Sequence, residues 1–114
     1  MRILVIALAA AALLAACSSP SDLMSSPANL TVTTSKSAKA YALCVFPEWQ
    51  EHSTAAVMSE TAKGYRIVNG FGQQTDDVLD ITTTQAGAVG KLYQRVAWSQ
   101  LGRSSLRDSM QKCR

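Results

Sequence analysis

The chain begins with 14 consecutive apolar residues, Ile3 to Ala16, which follow the single cation Arg2. A helix needs about 20 apolar residues to span a bilayer comfortably, so this run is too short. A short basic start, an apolar stretch and small residues at its end are typical of a segment that is removed from the mature chain. We therefore exclude residues 1–16 from the fold, which leaves 98 of the 114 residues.

The apolar run closes on Leu14-Ala15-Ala16-Cys17. This tetrapeptide resembles the lipobox of bacterial lipoproteins, and the resemblance covers the first 17 residues. It implies a lipoprotein signal peptide at residues 1–16, cleavage before Cys17, and lipidation of the Cys17 sulfur and of the new amine. One acyl chain holds a protein on a bilayer only marginally, whereas two or more hold it stably. A plain secretory signal with cleavage elsewhere is the alternative.

The resemblance also predicts where the protein is held. Ser18 follows Cys17, and by the sorting rules of the family this residue is compatible with the outer membrane of a Gram-negative cell. We expect a lipid-anchored protein of the cell envelope, on the outer membrane and facing the periplasm. In layout the mature chain resembles small proteobacterial lipoproteins, a likeness that carries no functional residues.

Residues 17–35 are rich in Ser, Thr and Pro and show no apolar period. This composition predicts the lipidated Cys17 followed by a flexible linker. A flexible chain of this length has a typical end-to-end distance of about 25 Å, so the domain would float just off the membrane surface. A short edge strand from Leu30 to Thr33 is the alternative.

Beyond Cys17, the mature chain contains two cysteines, Cys44 and Cys113. In an oxidising compartment the simplest arrangement for such a pair is one disulfide. By restricting the unfolded chain, it would stabilise the domain by about 4 kcal/mol. Two free thiols are the alternative. A zinc site is disfavoured because two cysteines and the single histidine fall short of the usual ligand set. We predict no metal and no cofactor.

Residues 36–114 are predicted to form one small domain with a helix at each end. A helical apolar period predicts a first helix over residues 35–52, capped by Thr34 or Ser35 and either kinked or divided at Pro47. Its apolar stripe consists of Ala38, Tyr41, Ala42, Val45 and Trp49. The last helix is predicted to begin at Ser104 or Ser105, with an apolar stripe of Leu106, Met110 and Cys113.

Strand patterns occupy residues 54–59, 65–69, 78–84 and 89–98, with a loop at residues 70–77. Consecutive strands with short connections form an antiparallel meander. The predicted architecture is therefore α+β: an antiparallel sheet of about four strands, flanked on one face by the N-terminal and C-terminal helices. A bridge from Cys44 to Cys113 would join these two helices.

The catalytic candidates are weak. His52 stands four residues after Glu48, a spacing that puts both on one helix face. A base beside a carboxylate is used in catalysis, but no nucleophile is marked, and a solvated helix end is the simpler interpretation. Asp76, Asp77 and Asp80 are close together, yet their spacing does not fit a calcium loop. We predict no catalytic residues.

A partner-binding surface is the stronger candidate. Tyr93, Arg95 and Lys91 alternate onto one face of the last strand, and we expect Arg66 to join them on the outer face of the sheet. Phe71 is expected at the tip of a loop. Aromatic and Arg side chains are favoured in protein-binding sites, although an ordinary solvated sheet face carries them too. Phe71, Tyr93, Arg95 and Arg66 are therefore the candidate partner-binding residues.

Charge argues against nucleic acid as a partner. The mature chain has 10 basic and 8 acidic residues, with no basic block, and nucleic-acid binding needs a clustered cationic face. We interpret the sequence as a non-enzymatic binding or accessory module, held on the membrane by its lipid and bound to an envelope protein. The alternatives are a small cell-wall-directed enzyme that uses Glu48, His52 or the Asp76–Asp80 cluster, and a carrier of an apolar ligand between sheet and helices.

Overall fold

The computed structural model describes residues 19–53, 55–71, 74–95 and 104–114. These residues form an α+β fold with one antiparallel sheet of five strands and three helices. The α+β class and the antiparallel sheet are confirmed, with five strands where about four were expected. In chain order the elements are α1 (Pro20–Met24), β1 (Leu30–Thr34), α2 (Ala38–His52), β2 (Val57–Thr61), β3 (Gly64–Phe71), β4 (Gln74–Thr84), β5 (Gly87–Gln94) and α3 (Ser104–Lys112).

The strands lie in the order β1-β5-β4-β3-β2, and every neighbouring pair is antiparallel. Strands β2 to β5 form the predicted meander, while β1 adds to the free edge of β5. The loop predicted at residues 70–77 is shorter than expected, because Phe71 pairs with Gln74 at the end of the β3–β4 hairpin. The register shifts after Asn69, so β4 contains a bulge there.

Strand β1 comes from the interval that was expected to be a flexible linker, residues 17–35. It pairs along its whole length with β5, in the edge position that was the alternative prediction. Its alternation buries Val32 and Thr34 and leaves Thr31 and Thr33 exposed. Thr and Val are β-branched and suit a half-buried strand, so a composition that indicated a tether is also compatible with an edge strand.

Helix α2 is one continuous helix. Its N-cap is Ser37, whose hydroxyl accepts a hydrogen bond from the Ala40 amide at 3.1 Å. The cap predicted at Thr34 or Ser35 is wrong because Thr34 belongs to β1. Pro47 lies inside the helix without dividing it.

Helices α2 and α3 pack together on one face of the sheet, which we call the helix face. Gly90 lies on this face beneath Tyr41; a Cβ there would stand 3.0 Å from the Tyr41 ring, so the missing side chain lets the ring pack directly on the sheet. The larger side chains of this core are Val32, Tyr41, Val45, Trp49, Ile67, Leu79, Ile81, Leu92, Leu106 and Met110.

Two buried hydrogen bonds connect the helices. The Tyr41 hydroxyl donates to the carbonyl oxygen of Met110 at 2.9 Å, and the Trp49 indole donates to the Ser109 hydroxyl at 3.2 Å. Burial raises the pKa of Tyr41 to about 12, because the apolar surroundings disfavour the phenolate. Both bonds satisfy polar groups that would otherwise be costly inside the core.

The predicted disulfide between Cys44 and Cys113 is confirmed, with the two Cα atoms 5.7 Å apart. It joins α2 to the residue that follows α3. The Lys36 ammonium also donates to the carbonyl oxygen of Cys113 at 2.6 Å. The C-terminal end of the chain is therefore fixed to the segment that begins α2.

Candidate functional site

The candidate site is the face of the sheet opposite the helix face, which we call the outer face. Helices α2 and α3 leave it open, and strand alternation decides which side chains it presents. It brings together three of the four predicted partner-binding residues, Arg66, Tyr93 and Arg95. Its side chains include Thr31, Val57, Arg66, Val68, Asp76, Val78, Asp80, Lys91, Tyr93 and Arg95.

Two ion pairs organise the charges of the outer face. The Arg66 guanidinium lies 3.1 Å from Asp80, and Asp80 stands opposite Lys91 on the neighbouring strand. The Arg95 guanidinium lies 3.0 Å from Asp76. Both arginine side chains remain about one-third exposed, at 33% and 38%. Exposed pairs of this kind contribute about 0–1 kcal/mol, so they orient the arginines more than they stabilise the fold.

An apolar strip crosses the centre of the outer face. Val78 pairs with Val68 on one side and Tyr93 on the other. It is fully buried, yet it does not belong to the core on the helix face. Helix α1 packs mainly against β4 and also against β5, with Leu23 only 8% exposed, so α1 is the element that can bury Val78 on this face. Because a five-residue helix is not stable alone, docking through Leu23 is what holds α1 in place.

The ends of the α1 segment are also fixed. Ser19 and Asp22 form a capping box, with hydrogen bonds of 3.0 and 3.2 Å. The hydrogen bond from the Ser19 amide lowers the pKa of Asp22. Beyond the helix, the Asn29 amide donates to the Leu92 carbonyl at 2.7 Å, and the Gln94 amide donates to the Asn29 side chain at 2.7 Å. The N-terminus of α1 is therefore capped within the helix, and the other end of the segment is held on β5 at Asn29.

Open grooves flank α1 on this face. One has a volume of about 220 Å³ and runs between the α1 segment and the end of β5, where Gln94 and Arg95 line it. Another, of about 330 Å³, separates Met24 from the β2–β3 turn and is lined by Lys63 and Arg66. Both grooves are thus bordered by a predicted partner-binding arginine.

Phe71 is placed apart from this cluster. It is the last residue of β3 and pairs with Gln74 at the hairpin end. Its side chain lies outside the part of the chain that the structure describes. Cys17 and the part of the predicted last strand beyond Arg95 also lie outside the described residues.

The Glu48 and His52 pair is arranged differently from a base with its orienting carboxylate. Glu48 lies 2.7 Å from the Lys112 ammonium, and this hydrogen bond raises the pKa of Lys112. The Nδ1 atom of His52 lies 3.4 Å from the Ser105 hydroxyl, and both residues are exposed. Glu48, which the sequence predicts as the partner of His52, therefore pairs with Lys112 on α3 instead.

The three aspartates do not form a cluster. Asp76 and Asp80 point to the outer face, whereas Asp77 is fully buried on the helix face. There its carboxylate accepts hydrogen bonds from the side-chain amides of Asn69 and Gln94, each at 3.0 Å. This buried network was not predicted from the sequence. The alternation of side chains along β4 could have revealed it, because Asp77 lies in the same alternating series as the buried residues Leu79 and Ile81.

No metal site emerges from the described ranges, and the cavity between β1 and α3 has a mainly polar lining. No group of three or more His, Cys, Asp or Glu side chains among these residues could hold a metal ion. A cavity of about 340 Å³ lies between β1 and α3, but apart from Leu30 its lining is polar: Ser104, Arg107, Asp108 and Gln111. Such a lining does not suit an apolar ligand, which needs mostly hydrophobic walls.

Comparison with known proteins returned no relatives: no family model matches the chain, and neither does any curated protein or solved structure. Within residues 19–53, 55–71, 74–95 and 104–114, none of the helices has the length and apolar character needed to cross a membrane.

Proposed function

We propose that this chain is a non-enzymatic binding module of the cell envelope, anchored by lipid at Cys17 on the outer membrane and facing the periplasm. The observation that carries the proposal is the outer face. It places Arg66, Tyr93 and Arg95 together on a surface that the two long helices leave open. Arg and Tyr are enriched at the centres of binding surfaces.

Binding is favoured over catalysis by how the polar residues are used. Glu48 is paired with Lys112, Asp76 with Arg95, and Asp80 with Arg66. Each of these carboxylates already has a cation within 3.1 Å. The module would act as an accessory subunit or adaptor for another envelope component, which we expect to be a protein.

The anchor and the surface are tested separately. For the anchor, the intact mass of membrane-extracted protein should show an acylated chain that begins at Cys17, and Cys17→Ser should release the protein from the membrane. An unmodified Cys17 would refute the anchor.

For the surface, a photo-crosslinking aromatic amino acid replaces Tyr93, and the same residue at Leu43 is the matched control. Leu43 is 52% exposed on α2, away from the outer face. One dominant adduct at position 93 and none at position 43 is the expected result. Equal labelling at the two positions would refute the outer face as the binding surface.

A further inference from the structure

The N-terminal segment determines how far the outer face can lie from the proposed anchor. Ser19 is the second residue after Cys17, and two residues of fully extended chain span about 7 Å. From Ser19 the chain enters α1, which is docked on the outer face through Leu23. The flexible tether expected from composition would have allowed about 25 Å. The docked segment therefore keeps the anchored cysteine close to one face of the sheet.

The docked segment also restricts rotation. Asn29 is held on β5 by two hydrogen bonds of 2.7 Å, and Leu23 is buried in the helix that packs mainly on β4. With both points fixed, the segment cannot swing around the edge of the sheet. A lipid attached two residues before Ser19 would thus present the outer face to the bilayer and direct the helix face away from it.

The charges of the outer face suit an anionic surface. The opposite charges cancel within the ion pair of Arg66 with Asp80 and within the ion pair of Arg95 with Asp76. Lys63, which lines the groove beside α1, and Lys91 on β5 are exposed, and neither forms an ion pair within the described chain. Against these two lysines stands the carboxylate of Asp22, which caps its own helix. The unpaired charge on this face is therefore positive.

We propose that the outer face binds the bilayer that holds the anchor, with Lys63 and Lys91 against the phosphate groups of anionic phospholipids. This inference rests on the proposed function, because it needs lipidation at Cys17, and it replaces the protein expected from the sequence with the bilayer as the component that the outer face contacts. Docking of α1 through Leu23 sets the orientation. A lysine near an anionic bilayer surface contributes about fivefold to binding, the equivalent of about 1 kcal/mol.

The test uses the acylated, full-length protein in vesicles of phosphatidylethanolamine and phosphatidylglycerol in equal parts. A photo-crosslinking residue replaces Thr31, which is exposed on the outer face of β1 opposite Lys91. The control position is again Leu43. We expect phospholipid adducts at position 31 and none at position 43. The adduct yield should fall about fivefold for each of Lys63→Gln and Lys91→Gln, which remove one positive charge each, and it should not change for Lys39→Gln, at an exposed lysine on α2.

Undocking α1 provides the second arm. Leu23→Ser should release the segment and reduce the difference in lipid labelling between positions 31 and 43. Ala40→Ser, at an exposed position on α2, should leave the difference intact. Thermal unfolding of each variant verifies that the domain is still folded.

Equal lipid labelling at positions 31 and 43 in the parent protein would overturn the inference. A protein adduct at position 31 in native envelopes, without lipid, would also overturn it but would preserve the binding module. An unacylated Cys17 would instead refute the proposed anchor itself, so the two failures are distinguishable.

Discussion

Removing the disulfide is expected to cost the domain about half of its stability. The bridge joins residues that are 69 apart in sequence, so it closes most of the folded chain into one loop. In the chain-entropy model a loop of this length stabilises by about 4 kcal/mol. A domain of this size typically has a free energy of unfolding of about 5–10 kcal/mol. The double variant Cys44→Ala/Cys113→Ala should therefore remain folded but unfold at a much lower denaturant concentration.

Alanine is the appropriate replacement because Cys113 is fully buried, and a serine hydroxyl there would need a new partner. The assay is urea unfolding of the oxidised protein, the reduced protein and the double variant, followed by tryptophan fluorescence. Reduction should lower the free energy of unfolding of the parent by about 4 kcal/mol and should leave the double variant unchanged. A loss below about 1 kcal/mol on reduction would refute the argument, because the bridge would then hardly restrict the unfolded chain.

Three further perturbations test the interior. Burial raises the pKa of Tyr41 to about 12, above its ordinary value, so the stability that the neutral phenol contributes should be complete below pH 10 and be lost as the pH rises towards 12. Tyr41→Phe should remove this part of the loss of stability at alkaline pH and should cost about 1 kcal/mol at neutral pH. Thermal unfolding over this pH range measures both effects. Gly87→Ala should destabilise by about 2 kcal/mol in urea unfolding, since Gly87 has φ of +148° and a Cβ there would collide with the Thr34 carbonyl; an unchanged midpoint would contradict this. Asp77→Asn should lower the free energy of unfolding by about 2–3 kcal/mol, because one carboxylate oxygen becomes an amide donor that faces a buried amide donor. A lower midpoint of chemical denaturation with an unchanged slope would confirm it.

The helix face was predictable because its signals are local. The apolar stripe of α2, from Tyr41 to Trp49, repeats at the helical period, and the tertiary fold adds only the partner that covers it. The pairing of Cys44 with Cys113 followed from counting cysteines, and the predicted position of both helices on one side of the sheet made the bridge sterically reasonable. Each of these inferences used residues that are close in sequence or few in kind.

The N-terminal segment was not predictable in the same way. Residues 30–34 have a strand-compatible alternation, but only the free edge of β5, about 60 residues later in the chain, gives them hydrogen-bond partners. Leu23 and Met24 are two apolar residues between serines, and nothing local indicates that the short helix they belong to packs on β4. A strand at a sheet edge and a helix held by one side chain depend on tertiary context, and composition cannot distinguish them from a tether.

The buried Asp77 illustrates the opposite error, in which chemical type was given more weight than position. Because Asp77 follows Asp76 in the sequence, it was interpreted as part of an acidic loop, yet in β4 the two residues point to opposite faces. A buried carboxylate is costly unless donors surround it, and the amides of Asn69 and Gln94 supply them from the two neighbouring strands. This network ties β3, β4 and β5 together at the same end of the sheet where Arg95 and Asp76 meet on the outer face. The outer face is therefore built on a rigid support, and a partner or a bilayer would meet a surface whose side chains are already in place.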